Sequence, residues 1–173
     1  MSYEISKGVV EKQLPKLLTE AGQKYGKFKD GRINYTDADI APVVMITVVC
    51  NDEILLAKRG QGLADADGYW STINGFIDED KSVAQIAAQE LKEEVDLQIS
   101  PQKIKVGPSY MVTNLQEKRS YIVFPCLVQL DGKPKIVLDP EHTEFTWTKR
   151  SKIGEFHMLE DTPYTIDAAL ALF

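Results

Sequence analysis

The run Trp70-Ser71-Thr72-Ile73-Asn74-Gly75-Phe76-Ile77-Asp78-Glu79-Asp80 leads through Lys81 and Ser82 into Gln89-Glu90-Leu91-Lys92-Glu93-Glu94-Val95-Asp96-Leu97. Its first part, residues 69–77, is aromatic, mixed and extended. Its second part is periodic. Val83, Ala87, Leu91 and Val95 recur at i, i+4, i+8 and i+12, which draws one apolar stripe along a helix over residues 82–95. Ser82 and Gln85 are spaced to serve each other's free backbone donors at its start. Glu90, Glu93 and Glu94 stand at i, i+3 and i+4 and cover an arc of about 100° beside the stripe.

Working outward, the chain alternates in character. Residues 43–50 are β-branched and apolar, Asn51-Asp52 is turn chemistry, and residues 54–59 form a second strand, so the pair reads as a hairpin. Residues 60–68 read as a loop rich in Gly and Asp. Upstream, Val9, Val10, Leu14, Leu17, Leu18 and Ala21 predict an amphipathic helix over residues 5–25. A short strand is expected at residues 32–35. Downstream, strands are expected at 105–106, 110–113, 121–130, 135–138 and 144–148, then a closing helix over 162–173 with Pro163 in its first turn. Strands around one central helix, with helices at the ends, give an α+β fold, an α/β/α sandwich with a mixed sheet.

A chain of 173 residues suits one domain, with an N-terminal helix and extension over 1–40 and the core over 42–173. Twenty basic against 26 acidic residues leave a net charge of −6, which argues against an extended nucleic-acid surface. Cys50 and Cys126 each sit in an apolar run and read as reduced core thiols of a cytoplasmic protein, with no zinc-site spacing around them. The first residues have no basic stretch feeding an apolar one, as a signal peptide would. The longest apolar stretch, residues 41–50, is about half of what a membrane helix needs, so no membrane partner is expected.

The chemistry is carried by the three glutamates. Two like charges ~6 Å apart repel by roughly 3 kcal/mol at an effective dielectric near 20. Three carboxylates at the edge of a buried face therefore call for a cation among them. Hard oxygen donors of this kind select Mg²⁺ or Mn²⁺. The competing reading is a solvated acidic face.

The frame around these residues resembles the box of the Nudix hydrolase family: Gly, five residues, Glu, seven residues, then Arg-Glu-aliphatic-x-Glu-Glu-x-Gly-aliphatic. Gly75, Glu90, Leu91, Glu93, Glu94 and Leu97 fit in register, and Leu55-Leu56-Ala57-Lys58-Arg59 and Trp70 look like the family's run-in. The resemblance covers residues 42–173. It implies a Nudix-like sandwich with a catalytic helix, Mg²⁺ or Mn²⁺ as cofactor, and hydrolysis of a nucleotide-derived small molecule. That substrate is a nucleoside diphosphate linked to another moiety: ADP-ribose or a nucleotide sugar, a dinucleoside polyphosphate, or a nucleoside triphosphate.

By this resemblance Glu90, Glu93 and Glu94 hold metal, Glu93 and Glu94 also being catalytic. A further carboxylate comes from Asp139-Pro140-Glu141-His142-Thr143-Glu144, with Glu141 and Glu144 as candidates. His142 could also serve in that role, though an exposed histidine here reads more readily as a surface residue. Arg59, Asn74, Gly75 and Phe76 are expected to bind substrate, Asn74 through its backbone carbonyl toward the metal. The N-terminal extension is similar to that of ADP-ribose pyrophosphatases, which often dimerise, and so implies a homodimer. Three positions depart from the pattern. Lys81 replaces Glu, Gln89 replaces Arg, and Asp96 replaces Gly. Lys81 is expected to take over part of the missing arginine's role. These departures motivate an alternative, a non-catalytic Nudix module that binds a nucleotide or a protein. The isomerase branch acting on isoprenoid diphosphates is disfavoured, since neither cysteine lies at a supporting place in the motif.

Overall fold

The computed structural model describes residues 3–60, 68–115, 118–159 and 161–173. Of the loop expected over 60–68, residues 61–67 lie outside the described residues. The elements run β1 (Tyr3–Lys7), α1 (Leu14–Tyr25), β2 (Ile40–Cys50), β3 (Glu53–Arg59), β4 (Trp70–Ser71), β5 (Ile73–Phe76), α2 (Val83–Val95), β6 (Lys105–Val106), β7 (Tyr110–Asn114), β8 (Arg119–Leu130), β9 (His142–Lys149) and α3 (Thr162–Leu170).

One mixed sheet organises them, in the order β1-β7-β8-β2-β3-β4, with β5 on β2, β6 on β8 and β9 on β3. Its spine is the parallel pair β2–β8, in register from Ile40 opposite Ser120 to Cys50 opposite Leu130. The other edge of β2 is shared by β5 near its start and β3 near its end. The apolar run over 43–50 is continuous because both faces of β2 are covered. Val44, Ile46 and Val48 join the core that α1 and α2 cover through Leu14, Leu18, Ile86, Ala87 and Leu91. Val49 points to the other face, where Leu56 and Leu127 meet Ile166 and Ala169 of α3. This is the expected α+β sandwich, with α2 on the face opposite α3.

The start and end of α2 are set by local chemistry. Gln85 donates its backbone N–H to Ser82 Oγ at 3.3 Å, while the Ser82 N–H reaches Gln85 Oε1 at 2.9 Å. Asp96 ends the helix in the left-handed region at φ 53°, and the N–H of Leu97 returns to Leu91 O at 2.9 Å. A side chain there carries strain that glycine would not. Asp96→Gly should therefore stabilise the protein by about 1 kcal/mol in urea unfolding. A loss of stability would mean that the exposed Lys92–Asp96 pair, 3.2 Å apart, outweighs the backbone term.

Three expected elements change. Residues 3–7 are a strand on β7, not the start of a helix. The helix begins at Leu14 because Pro15 must sit in a first turn and cannot continue a helix from upstream. Residues 32–35 give only a single bridge, Lys27 with Ile33. Residues 135–138 form no strand, because this segment spends its donors elsewhere. Val137 N–H goes to Val95 O and Asp139 N–H to Glu94 O, satisfying carbonyls at the end of α2. The closing helix stops at Leu170.

Candidate active site

α2 lies across β5 and the start of β2, and the close approach is made at Gly75. This residue faces α2, as its partner Val44 does. Any Cβ on Gly75 would overlap the Glu90 carboxyl group. The carboxyl thus occupies the space that a side chain would fill. Burial pushes the Glu90 carboxyl up to about 8, helped by Glu93, Asp78 and Glu141 and opposed by Arg32.

One turn later Glu94 is more deeply buried, at 8% exposure. Its Oε2 has no hydrogen-bond partner among the described residues. Burial raises this carboxyl well above its ordinary value. Glu90, Asp139 and Glu141 push it further, and Arg59 pulls it back. Glu93, the third member of the helical set, is exposed.

Strand parity decides what joins these glutamates. In β3, Leu55 and Ala57 face α2 while Ile54 and Leu56 face α3. Arg59 shares the α2 face and stands opposite His142 after an irregularity in the β3–β9 pairing. Its Nε is buried and unpartnered among the described residues. Glu141 is exposed, and its backbone is fixed by the Gly60 N–H, which donates to Glu141 O at 2.8 Å. Glu94 is therefore within electrostatic reach of Glu90, Asp139, Glu141 and Arg59, and Glu90 within reach of Glu141.

Other expected site residues are not brought together with them. Glu144 is opposite Lys58, on the α3 side, and its Oε1 lies 2.7 Å from Lys58 Nζ. Its role as the additional carboxylate does not fit this placement. The side chains of Asn74 and Phe76 are opposite Met45 and Val43, on the face away from α2, which leaves the expectation for the Asn74 backbone carbonyl unaffected. The Asn74 amide donates to Thr72 O at 3.1 Å, and Phe76 rests against Tyr35 with ring centroids 5.5 Å apart. Trp70 packs on Phe156 in the α3 core. Trp147 packs on the core beneath α2.

His142 is a correction. It is not a surface residue: its side chain is fully buried, with Nδ1 2.9 Å from Asp139 Oδ1 and Nε2 3.7 Å from Glu94 Oε2. Polar flanks hid it in the sequence. The available signal was Asp139 three residues before it, at the mouth of a strand. Asp78, the other carboxylate pressing on Glu90, was likewise visible only as part of a charged turn.

Two of the three altered box positions meet each other. Lys81 Nζ lies 2.8 Å from Gln89 Oε1 and 2.8 Å from Glu79 Oε2. Gln89 Nε2 points back to Glu79 Oε1 at 3.4 Å. A cation on the loop and an amide on the helix thus stand where the family pattern has an anion and an arginine. Lys81→Glu should cost about 0.5–1 kcal/mol, because it faces Glu79, and Gln89→Arg added to it should restore the loss. A double-mutant cycle in urea without coupling would remove this reading.

The arrangement suits a divalent cation by its chemistry. A half-buried carboxyl, Glu90, and a buried one, Glu94, lie within mutual repulsion, the second with an oxygen unpartnered among the described residues. Among the described residues no three acidic, histidine or cysteine side chains close on one point, so the protein offers a partial shell. Oxygen-ligated Mg²⁺ is commonly held this way, by one or two carboxylates with water and substrate phosphates.

Comparison with known proteins gives the same frame. The NUDIX domain family matches residues 40–169. The NAD-capped RNA hydrolase NudC of Stutzerimonas stutzeri (strain A1501) is 36% identical over 62 residues, covering 36% of this chain and 21% of that protein. The chain thus matches about a fifth of the length of that relative. Among solved structures, the NUDIX domain of Shewanella oneidensis NrtR complexed with ADP ribose superposes with a TM-score of 0.64 at 16% identity, covering 76% of this chain and 87% of that one. A C. elegans Ap4A hydrolase binary complex does so with a TM-score of 0.60 at 14% identity, covering 76% and 96%. At such identities the likeness is one of fold.

Proposed function

Because the chain belongs to the Nudix family, we propose that it is a divalent-metal-dependent pyrophosphohydrolase acting on a nucleoside diphosphate linked to another moiety. The observation that carries this reading is the pair Glu90 and Glu94: half-buried and buried, mutually repelling, and with Glu94 Oε2 unpartnered among the described residues. Such a pair is costly unless a cation compensates it. When bound, Mg²⁺ or Mn²⁺ would neutralise diphosphate oxygens and lower the pKa of an attacking water.

The chain's own residues divide the remaining work. Glu90 and Glu94 hold the ion, with exposed Glu93 adding a donor from the next face of the helix. Arg59, with its unpaired Nε, receives a phosphate oxygen. Glu141 is held by its backbone and free in its side chain, so it takes the proton of the water. ADP-ribose, a dinucleoside polyphosphate and a capped nucleotide all contain the required linkage, and relatives of this fold include proteins that bind or cleave each of them. No described helix is long and apolar enough to cross a membrane.

The test is a panel of nucleoside diphosphate derivatives with Mg²⁺ or Mn²⁺, run beside a Glu93→Gln/Glu94→Gln double variant. Metal-dependent release of a nucleoside monophosphate, lost in the variant, is expected. Retained nucleotide binding without turnover would instead favour a binding module, with Lys81 and Gln89 as its cause.

A further inference from the structure

We propose that His142 is itself a metal ligand, so that Glu94 Oε2 and His142 Nε2 share the cation and water or substrate oxygens complete its shell. This rests on the hydrolase reading above and names the donor set and metal preference of that site.

His142 Nδ1 is 2.9 Å from Asp139 Oδ1, and a carboxylate only accepts, so Nδ1 carries the hydrogen. The other ring nitrogen is Nε2. It faces Glu94 Oε2 at 3.7 Å, beyond hydrogen-bond distance. Both atoms are buried and have no partner among the described residues. Arg59 eases the charge of Glu94 but gives that oxygen no hydrogen bond. Two buried polar atoms aimed at each other, too far apart to hydrogen-bond, leave a place for a cation between them. Two donors each ~2.1 Å from one ion sit ~3.0 Å apart at a right angle and ~3.4 Å apart at a tetrahedral one. A side-chain movement of a few tenths of an ångström closes the observed gap.

The surroundings are those of a histidine ligand. Imidazoles that bind metal usually donate their second N–H to a carboxylate, which fixes the tautomer and the ring. Asp139 does this here, and it is tied to the metal helix by its own N–H, which donates to Glu94 O at 3.0 Å. The β3–β9 pairing places His142 opposite Arg59. One nitrogen among oxygen donors shifts preference from Mg²⁺ toward Mn²⁺ and later first-row ions.

The experiment uses the untagged chain with Mn²⁺ alone and pulsed electron paramagnetic resonance. The chain has two histidines, and the other, His157, stacks on Tyr69 with ring centroids 4.0 Å apart, so assignment is direct. We expect nitrogen coupling to bound Mn²⁺ that changes isotope on ¹⁵N-histidine labelling, persists in His157→Gln and disappears in His142→Gln. Mn²⁺ affinity should fall about tenfold or more in His142→Gln, and Mg²⁺ affinity by less than about threefold. Asp139→Asn should weaken Mn²⁺ by about tenfold while keeping the coupling. Bound Mn²⁺ with no histidine nitrogen coupling overturns the proposal and leaves the hydrolase reading standing. Absence of Mn²⁺ binding at millimolar concentration overturns both. If His142→Gln does not fold, the labelled parent protein still decides.

Discussion

Glu90→Gln should raise the melting temperature of the metal-free protein at pH 9 by about 4–8 °C, and the same substitution should abolish metal-dependent turnover. The Glu90 carboxyl sits near pH 8 in the folded chain, against about 4.5 when exposed, first because it is buried and then because Glu93, Asp78 and Glu141 repel it. Between these values the folded state keeps a proton that the unfolded state has released. The contribution of Glu90 to stability is therefore greatest below about pH 4.5 and falls as the pH climbs to about 8. Above that the full cost of the buried charge is present. One pKa unit is about 1.4 kcal/mol, which taken whole gives several kcal/mol. Glu90 keeps some contact with water and can turn outward, so a gain of about 2 kcal/mol is expected for the neutral amide. At pH 5 the two proteins should melt nearly together. Adding a divalent ion at a hundred times its dissociation constant should return about 2.7 kcal/mol to the parent and little to the variant. A variant less stable than the parent at pH 9 in chelator would show that Glu90 carries no such strain, and would remove the main reason for placing a cation there.

The sandwich was legible because its decisive signals are local. The stripe Val83, Ala87, Leu91, Val95 and the cap Ser82–Gln85 specify α2 from sequence alone, and all four apolar residues are fully buried. Asp96 as a helix end could be read from its place in the motif and takes the left-handed conformation. What could not be read depends on pairing across the fold. Residues 3–7 carry no strong strand pattern, and β7, over a hundred residues later, makes them one. Residues 135–138 look like a strand until the end of α2 claims their donors.

The site divides the same way. Glu90 and Glu94 follow from helical spacing, but the choice between Glu141 and Glu144 needed the parity of β3 and β9. His142 was misjudged because its burial is made by Asp139, Glu94 and the β3 edge together, and none of these adjoins it in sequence. Asn74 and Phe76 flank Gly75, and a strand must send its neighbours to the opposite face.

Gly75→Ala should be the most damaging single methyl at the candidate site. Gly75 is not in the left-handed region, so its requirement is space and not backbone freedom. The space is taken by the Glu90 carboxyl, which a methyl group would overlap. α2 cannot lift, because Ile86, Ala87 and Leu91 are locked in the core beneath it. The glutamate must therefore swing out. Moving the end of a flexible side chain costs only about 1 kcal/mol, but displacing the proposed metal-binding carboxylate by an ångström or so should lower kcat/KM by about 100-fold or more. The steric account has a sharp consequence. Glu90→Ala added to Gly75→Ala removes the overlapping group, so the double variant should recover most of the lost stability and none of the lost activity. A coupling of about 1 kcal/mol in urea unfolding, with no rescue of turnover, is the expected pair of results. If Gly75→Ala alone keeps both stability and turnover, Glu90 rests elsewhere in solution, and the cation site built on Glu90 and Glu94 loses its geometry.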